Sequence, residues 1–297
     1  MRQFKTRTSL LWAMTAGIVL GAASPALANH PVLVEGEADF DGDDVVGLAE
    51  DNDGDAVFGT ITRALGAAPA IGQNGSVVIV TSGRFVEVVN ITGTGQVTLE
   101  AAPGVDVDIE AFVVPADRRI NDFPAAVANP FALQNAPGIV INSPNDRYVV
   151  IRNVSVINWT DGIRVQGNSH VLLDNVRVEH NINNGVSVLD NARVAIFRSS
   201  INSTGFRTNP RTGNFPMDMA PMPGAGVNLQ GSSRGDIFAS SITGNFDNAV
   251  KRARSARVEV KDTQLFDNNR SRDIMMTMPM PMPPPAPAPA PAPTPAP

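Results

Sequence analysis

Apolar and polar residues alternate in short pairs along the middle of the chain, and the pairs come in threes. In GIRVQGNSHVLLDNVRVEHNINN, which begins at Gly162, they are Ile163/Val165, Val171/Leu173 and Val176/Val178. Such alternation predicts strands with one buried face. Three strands in 23 residues leave room only for tight turns. The cadence recurs in GIVINSPNDRYVVIRNVSVINWTD from Gly138, GVSVLDNARVAIFRSSINSTG from Gly185, GVNLQGSSRGDIFASSITGNFDN from Gly226 and AVKRARSARVEVKDTQLFDNN from Ala249. In the last unit the second and third pairs are Val258/Val260 and Thr263/Leu265. A given strand returns only after a whole unit, so stacking unit on unit pairs each strand with its own copy. The prediction is a solenoid with three parallel sheets, its core closed only by stacked neighbours.

Asparagines carry a second, independent periodicity. Asn181, Asn245 and Asn268 all stand twentieth in their units. Coils about 4.8 Å apart would let these amides hydrogen-bond up the stack as a ladder. Thr204 takes the position in the third unit and is expected to break the ladder there, where a surplus of 18 residues begins, rich in Pro, Gly and Met.

The glycine-led GIRV, HVLLDNVRV and NINNG elements resemble the right-handed parallel β-helix family, the pectin-lyase-like fold, over about residues 75–272. Upstream, DAVFGTITRALGAA is similar to the helix that caps the N-terminal coil in that family. Thr60 or Thr62 suits its N-cap, and Ile61, Ala64 and Leu65 form a short apolar stripe. SVVIV, VEVVNIT, QVTLEA and VDVDIEAFV read as further strands. The expected fold is all-β: a right-handed parallel β-helix solenoid with coils of roughly 23 residues and a short N-terminal capping helix.

That resemblance implies a polysaccharide lyase, hydrolase or pectinesterase, working with carboxylates, or with calcium and a base, on one outward sheet face. The outward positions of the first strands are Val140, Asn142, Arg164, Gln166, Ser187, Leu189, Asn228, Gln230, Lys251 and Ala253, with no carboxylate among them. On the second strands the outward acids Asp174, Asp236 and Glu259 are scattered. Lys251, Arg252 and Arg254 are weak candidates for the lone base of a lyase. Asp161, before Gly162, reads as a turn residue, and His180 as an exposed turn histidine.

Position nine of successive units carries His170, Arg193, Arg234 and Arg257, a basic column once the units stack. Guanidinium forks in a column suit the carboxylates of an anionic polysaccharide or cell-surface glycan. The other reading is a solvated edge compensated by Asp236 and Glu259. Arg207 and Arg211, in the inserted loop, are candidates for added specificity.

The ends of the chain have compositions of their own. Arg2, Lys5 and Arg7, an apolar run and Ala26-Leu27-Ala28 form a cleavable export signal over 1–28. Secretion or a bacterial periplasmic or envelope location follows as an expectation, with no membrane span in the mature chain. The sequence contains no cysteine, so disulfides are excluded. Without the three leader cations, 20 basic and 29 acidic residues leave a net charge of −9. Ten of those acids fall between Glu35 and Asp55, where no cation occurs. The rest is balanced, which argues against nucleic-acid binding by bulk charge.

Within that stretch, Asp39, Asp41, Asp43 and Glu50 stand at positions 1, 3, 5 and 12 of a loop that resembles an EF-hand or dockerin calcium loop. The family's glycine at position 6 is Asp44 here. Asp51, Asp53 and Asp55 start a second, incomplete set. Structural calcium is the cofactor expected. The division is a leader over 1–28, an acidic segment over 29–55, the β-helix over 56–272, and a Met/Pro/Ala-rich disordered tail over 273–297 of polyproline-II character. The function expected is a non-catalytic polysaccharide- or surface-binding module. A carbohydrate-active lyase or hydrolase is the alternative, and a purely structural surface protein is a third.

Overall fold

The computed structural model describes residues 32–34, 58–71, 74–92, 96–111, 134–143, 148–206, 223–268 and 274–277. The leader, the acidic residues from Asp39 to Asp55, Arg207, Arg211 and residues 278–297 lie outside them. The N-terminal elements are β1 (Val32–Val34), α1 (Ile61–Ile71), β2 (Asn74–Ile79), β3 (Gly83–Phe85), β4 (Val89–Ile91), β5 (Gln96–Ala101) and β6 (Val107–Glu110). Next come β7 (Ile139–Ile141), β8 (Tyr148–Arg152), β9 (Ser155–Ile157), β10 (Asp161–Val165), β11 (His170–Asp174) and β12 (Arg177–Glu179). They are followed by β13 (Asn184–Val188), β14 (Arg193–Phe197), β15 (Ser200–Asn202), β16 (Val227–Leu229), β17 (Arg234–Phe238) and β18 (Ser241–Thr243). The final strands are β19 (Val250–Ala253), β20 (Arg257–Lys261), β21 (Gln264–Phe266) and β22 (Ile274–Thr277).

Each strand pairs, always in parallel, with its copy one coil away. Sheet A runs β1-β2-β5-β8-β11-β14-β17-β20, sheet B runs β3-β6-β9-β12-β15-β18-β21, and sheet C runs β4-β7-β10-β13-β16-β19-β22. The inward column of sheet A contains Leu99, Ile151, Leu173, Ile196, Ile237 and Val260 in register. That of sheet B contains Phe85, Ile109, Val156, Val178, Ile201, Ile242 and Leu265. These columns meet those of sheet C in one continuous core. Each fully buried aliphatic side chain contributes roughly 1.5–3 kcal/mol, and no coil can bury its own without the next.

The recurring glycine has a steric cause. A Cβ on Gly162 would lie 2.5 Å from Val178 Cγ1 and 2.8 Å from the Gly185 carbonyl oxygen. One on Gly185 would strike Ile201 and come within 2.7 Å of the Gly226 carbonyl oxygen. Gly235 replaces the valine of neighbouring coils because Leu229 fills its place, 2.9 Å from where a Cβ would stand.

Corners are turned mostly by single left-handed residues other than glycine. Asn153, Asn175, Arg198, Ala239 and Asp262, all at positive φ, turn sheet A into sheet B in five successive coils. Asn158, His180, Ser203, Gly244 and Asp267 repeat the device after sheet B. The residues that follow form the expected ladder. Thr204 donates its N–H (3.1 Å) and hydroxyl (2.8 Å) to Asn245 Oδ1, and Asn245 Nδ2 donates to Asn268 Oδ1 at 2.9 Å. Thr204 therefore sits within the ladder rather than breaking it. One coil below Asn181, whose Oδ1 accepts the Trp159 N–H at 2.9 Å, the indole N–H of fully buried Trp159 reaches the Ile109 carbonyl.

The helix forms where its cap and stripe predicted. Thr60 Oγ1 accepts the Arg63 N–H at 3.3 Å, and Ile61, Ala64 and Leu65 are buried against the first coil. Its first turn holds no acid of its own. Glu87 supplies one, accepting the Ile61 and Thr62 N–H groups at 2.8 and 2.9 Å. These would otherwise be orphan donors at the positive end of the helix dipole.

Both boundaries of the solenoid extend beyond the expected 56–272. β1 pairs with β2 from within the segment read as acidic, because Val32-Leu33-Val34 is a β-prone run whose Val34 is wholly buried. At the other end β22 pairs with β19 inside the segment read as tail, since Ile274–Thr277 precedes the first proline and keeps every donor.

Candidate functional site

The basic column is a real register. His170 pairs with Arg193, Arg193 with Arg234, and Arg234 with Arg257, at the start of four consecutive strands of sheet A. Tyr148 precedes them, 60% exposed, its ring edge-on to His170 with centroids 5.5 Å apart. Tyr148, His170, Arg193, Arg234 and Asp236 line a shallow depression of about 350 Å³. The expected compensation is half present. Asp236 takes Arg234 at 3.2 Å, but Glu259 turns to Lys261 instead. Arg193 and Arg257 form no ion pair among the described residues, so the column keeps surplus positive charge.

Charges also cluster on the second strands, where Arg152 and Arg198 share Asp174 at 3.6 and 2.7 Å, and on the third strands. On the outer face of sheet B, Arg84, Asp108, Ser155, Arg177, Ser200, Ser241 and Gln264 stack in register. Beside them run Glu110, Ile157, Glu179, Asn202, Thr243 and Phe266. Arg177 is the hub, 3.2 Å from Asp108, 3.3 Å from Glu179 and 3.1 Å from Ser155 Oγ. Glu110 is only 9% exposed, and its Oε1 accepts Asn158 Nδ2 at 2.6 Å. Burial raises its pKa to about 7, against the opposing pull of Arg84 at 3.8 Å and the Asn158 hydrogen bond. His180 at the next corner is half-buried rather than exposed, and burial pushes its imidazole below the usual range despite Glu179.

Residues 137–273 match the family model for the right-handed β-helix region. The solenoid is a right-handed parallel β-helix. No curated protein matches the chain. The matched stretch spans the five repeat units and the ladder, so the β-helix and the repeat are one feature.

The β-helix separates the three candidate bases. Lys251 faces outward in the column of Arg164, Ser187 and Asn228, and pairs with the buried carboxylate of Asp247 at 3.4 Å. Arg252 takes the inward register of Leu229 and donates to the Ala256 carbonyl at 3.0 Å. Arg254 is exposed in the turn that follows. Asp161 proves to be a strand residue: it opens β10, is 3% exposed, and holds Arg164 at 2.7 Å and Asn184 Nδ2 at 3.0 Å. The turn chemistry of Asp-Gly yields here because the glycine is required by packing, which leaves Asp161 on the strand.

Arg177, Glu179, Asp108 and Glu110 were visible as charges inside VRVE and VDVDIE. Their signal was the third pair of each unit, whose outward neighbours hold the cluster. Among the described residues no group of three or more His, Asp or Glu converges as metal ligands.

Proposed function

We propose that this β-helix protein is an exported, non-catalytic module that binds polysaccharide or a surface glycan, with calcium held by the acidic segment around Asp39, Asp41, Asp43 and Glu50. The carrying observation is the column of His170, Arg193, Arg234 and Arg257, stacked in register, with two arginines that find no counter-charge among the described residues. Cations repeating about every 4.8 Å along a rigid edge suit an extended polymer that carries carboxylates. The rigid sheet spares the ordering cost that a flexible site incurs on binding. The leader supports export, and the dense carboxylates support a hard cation.

One observation favours the enzyme reading. Glu110 and Glu179 share an outward column with Ile157 between them, two coil steps or roughly 10 Å apart at the backbone. That backbone spacing is close to the carboxyl separation of about 6.5–9.5 Å used by inverting glycoside hydrolases, and Glu110 carries the raised pKa such an acid needs. The mature protein should be incubated with oligogalacturonate and neutral polysaccharides plus calcium, scoring retention and the release of reducing or unsaturated ends. Retention of the acidic polymer without release, abolished by reversing Arg193, Arg234 and Arg257 to Glu, is the expected result. Release lost in Glu110→Gln would establish the hydrolase instead, and neither retention nor release would leave a structural surface protein.

A further inference from the structure

The corner between sheets A and B is concave, and its concavity is continuous. One depression of about 550 Å³ runs from Gly104 and Asp106 past Asn153 and Ser155 to Asn175 and Arg177. A second, of about 520 Å³, takes up the same Asn175 and Arg177 and runs on past Ser200 and Ser241 to Asp262 and Gln264. Together they make a trough parallel to the solenoid axis, crossing five coil steps or about 24 Å. Its cause is the left-handed corner residue in every coil, which bends the chain inward at one fixed position.

The two rims repeat coil by coil. Corner residues Asn153, Asn175, Arg198, Ala239 and Asp262 form one, and the outward column Ser155, Arg177, Ser200, Ser241 and Gln264 forms the other. The floor is rigid. Ser199, Ser240 and Thr263 accept the N–H groups of Val176, Ser199 and Ser240 at 3.1, 3.1 and 3.4 Å, a hydroxyl ladder that is fully used within the protein. The rims are not fully used. The Ser241 hydroxyl and the Gln264 amide have no side-chain partner among the described residues, and Asn175 spends only its Nδ2, on Asn153.

Charge separates this trough from the column on sheet A. Arg198 Nη2 meets both oxygens of Asp174 at 2.7 Å, and Arg177 is held by Asp108 and Glu179. The trough is polar with its guanidinium charge already answered, whereas the column, roughly 13 Å away along the same strands, is not. We propose that the trough between sheets A and B is a second glycan track, holding a neutral oligosaccharide along the solenoid axis. The unengaged Ser241 hydroxyl, Gln264 amide and Asn175 Oδ1, spread along the trough, address the hydroxyls of an extended sugar chain. The proposal rests on the glycan-binding reading but not on the basic column.

Calorimetry on the mature protein with cellohexaose, mannohexaose and oligogalacturonate tests it. The wild type should bind at least one neutral hexaose with a Kd of millimolar or tighter, and Ser200→Tyr/Ser241→Tyr, which fills the trough from outward strand positions, should weaken it at least tenfold while oligogalacturonate binding persists. Asn175→Ala/Gln264→Ala, which removes the rim amides without adding bulk, should weaken the same hexaose by about tenfold. Binding of oligogalacturonate but of neither hexaose would overturn the trough and leave the column standing. Hexaose affinity unchanged in both variants would overturn it as well, and failure of all three probes would take the glycan reading down with it.

Discussion

Asn158, in the left-handed conformation at a corner of the solenoid, donates its side-chain amide to the Glu110 carboxylate one coil below at 2.6 Å. That bond secures the residue next to Trp159, among the largest fully buried side chains. It also ties the stability of the β-helix to pH, because the carboxylate is almost out of reach of water.

Burial holds the Glu110 pKa near 7 in the folded chain, so the folded state binds this proton more tightly than the unfolded one. The associated stability is complete below the unfolded value of about 4.5 and is lost as pH rises to about 7, roughly 3 kcal/mol in all. Glu110→Gln keeps an oxygen for Asn158 and removes the charge. Urea unfolding at stepped pH should show the free energy falling across this window in the wild type and a flatter profile in the variant. The variant should also be the more stable protein at pH 8. Parallel profiles would rule Glu110 out as the source.

Gly185 has no space for a methyl group between Ile201 and the Gly226 carbonyl oxygen. Gly185→Ala should destabilise by about 1–3 kcal/mol, the usual cost of overpacking, seen as a lower Tm. The same change at Gly66 on α1, where a Cβ would meet nothing within 4 Å, should be neutral or slightly stabilising.

Asn245 serves three bonds at once, accepting from Thr204 N and Oγ1 and donating to Asn268 Oδ1. Asn245→Ala leaves a buried N–H and hydroxyl unanswered and should cost about 3 kcal/mol. Asn268→Ala, on the half-exposed last coil, should cost less. Hydrogen exchange locates the damage, since the Thr204 amide should lose protection in the first variant and keep it in the second.

Calcium at millimolar concentration should raise the Tm of the mature protein through preferential binding to the folded state. The rise should vanish when Asp39, Asp41 and Asp43 are replaced by alanine. An equal rise in both proteins would place the ion elsewhere.

The solenoid itself could be read from the chain because each coil is nearly the same sentence. Alternating pairs at 23-residue spacing specify which residues face inward and which strands are partners, and the period does not depend on long-range detail. The column of His170, Arg193, Arg234 and Arg257 followed for the same reason: equal position in the unit becomes equal register in the sheet. Boundaries were harder, since β1 and β22 lie in segments whose composition is dominated by other features. Strand pairing depends on the open edge they meet, not on their neighbours in sequence.

What the sequence alone determined, then, is the stack, its glycine and asparagine columns, and the placement of the cations, all of which are periodic. What only the tertiary structure decided is what breaks that period. Glu110 and Asn158 are 48 residues apart and Arg177 and Asp108 are 69 apart, across a segment whose length no repeat predicts. Glu87 caps a helix that begins 26 residues before it. The trough exists because corners bend at the same place in five coils. Burial and ion pairing depend on distances in space, and a repeat supplies those distances only between residues at the same position in its units.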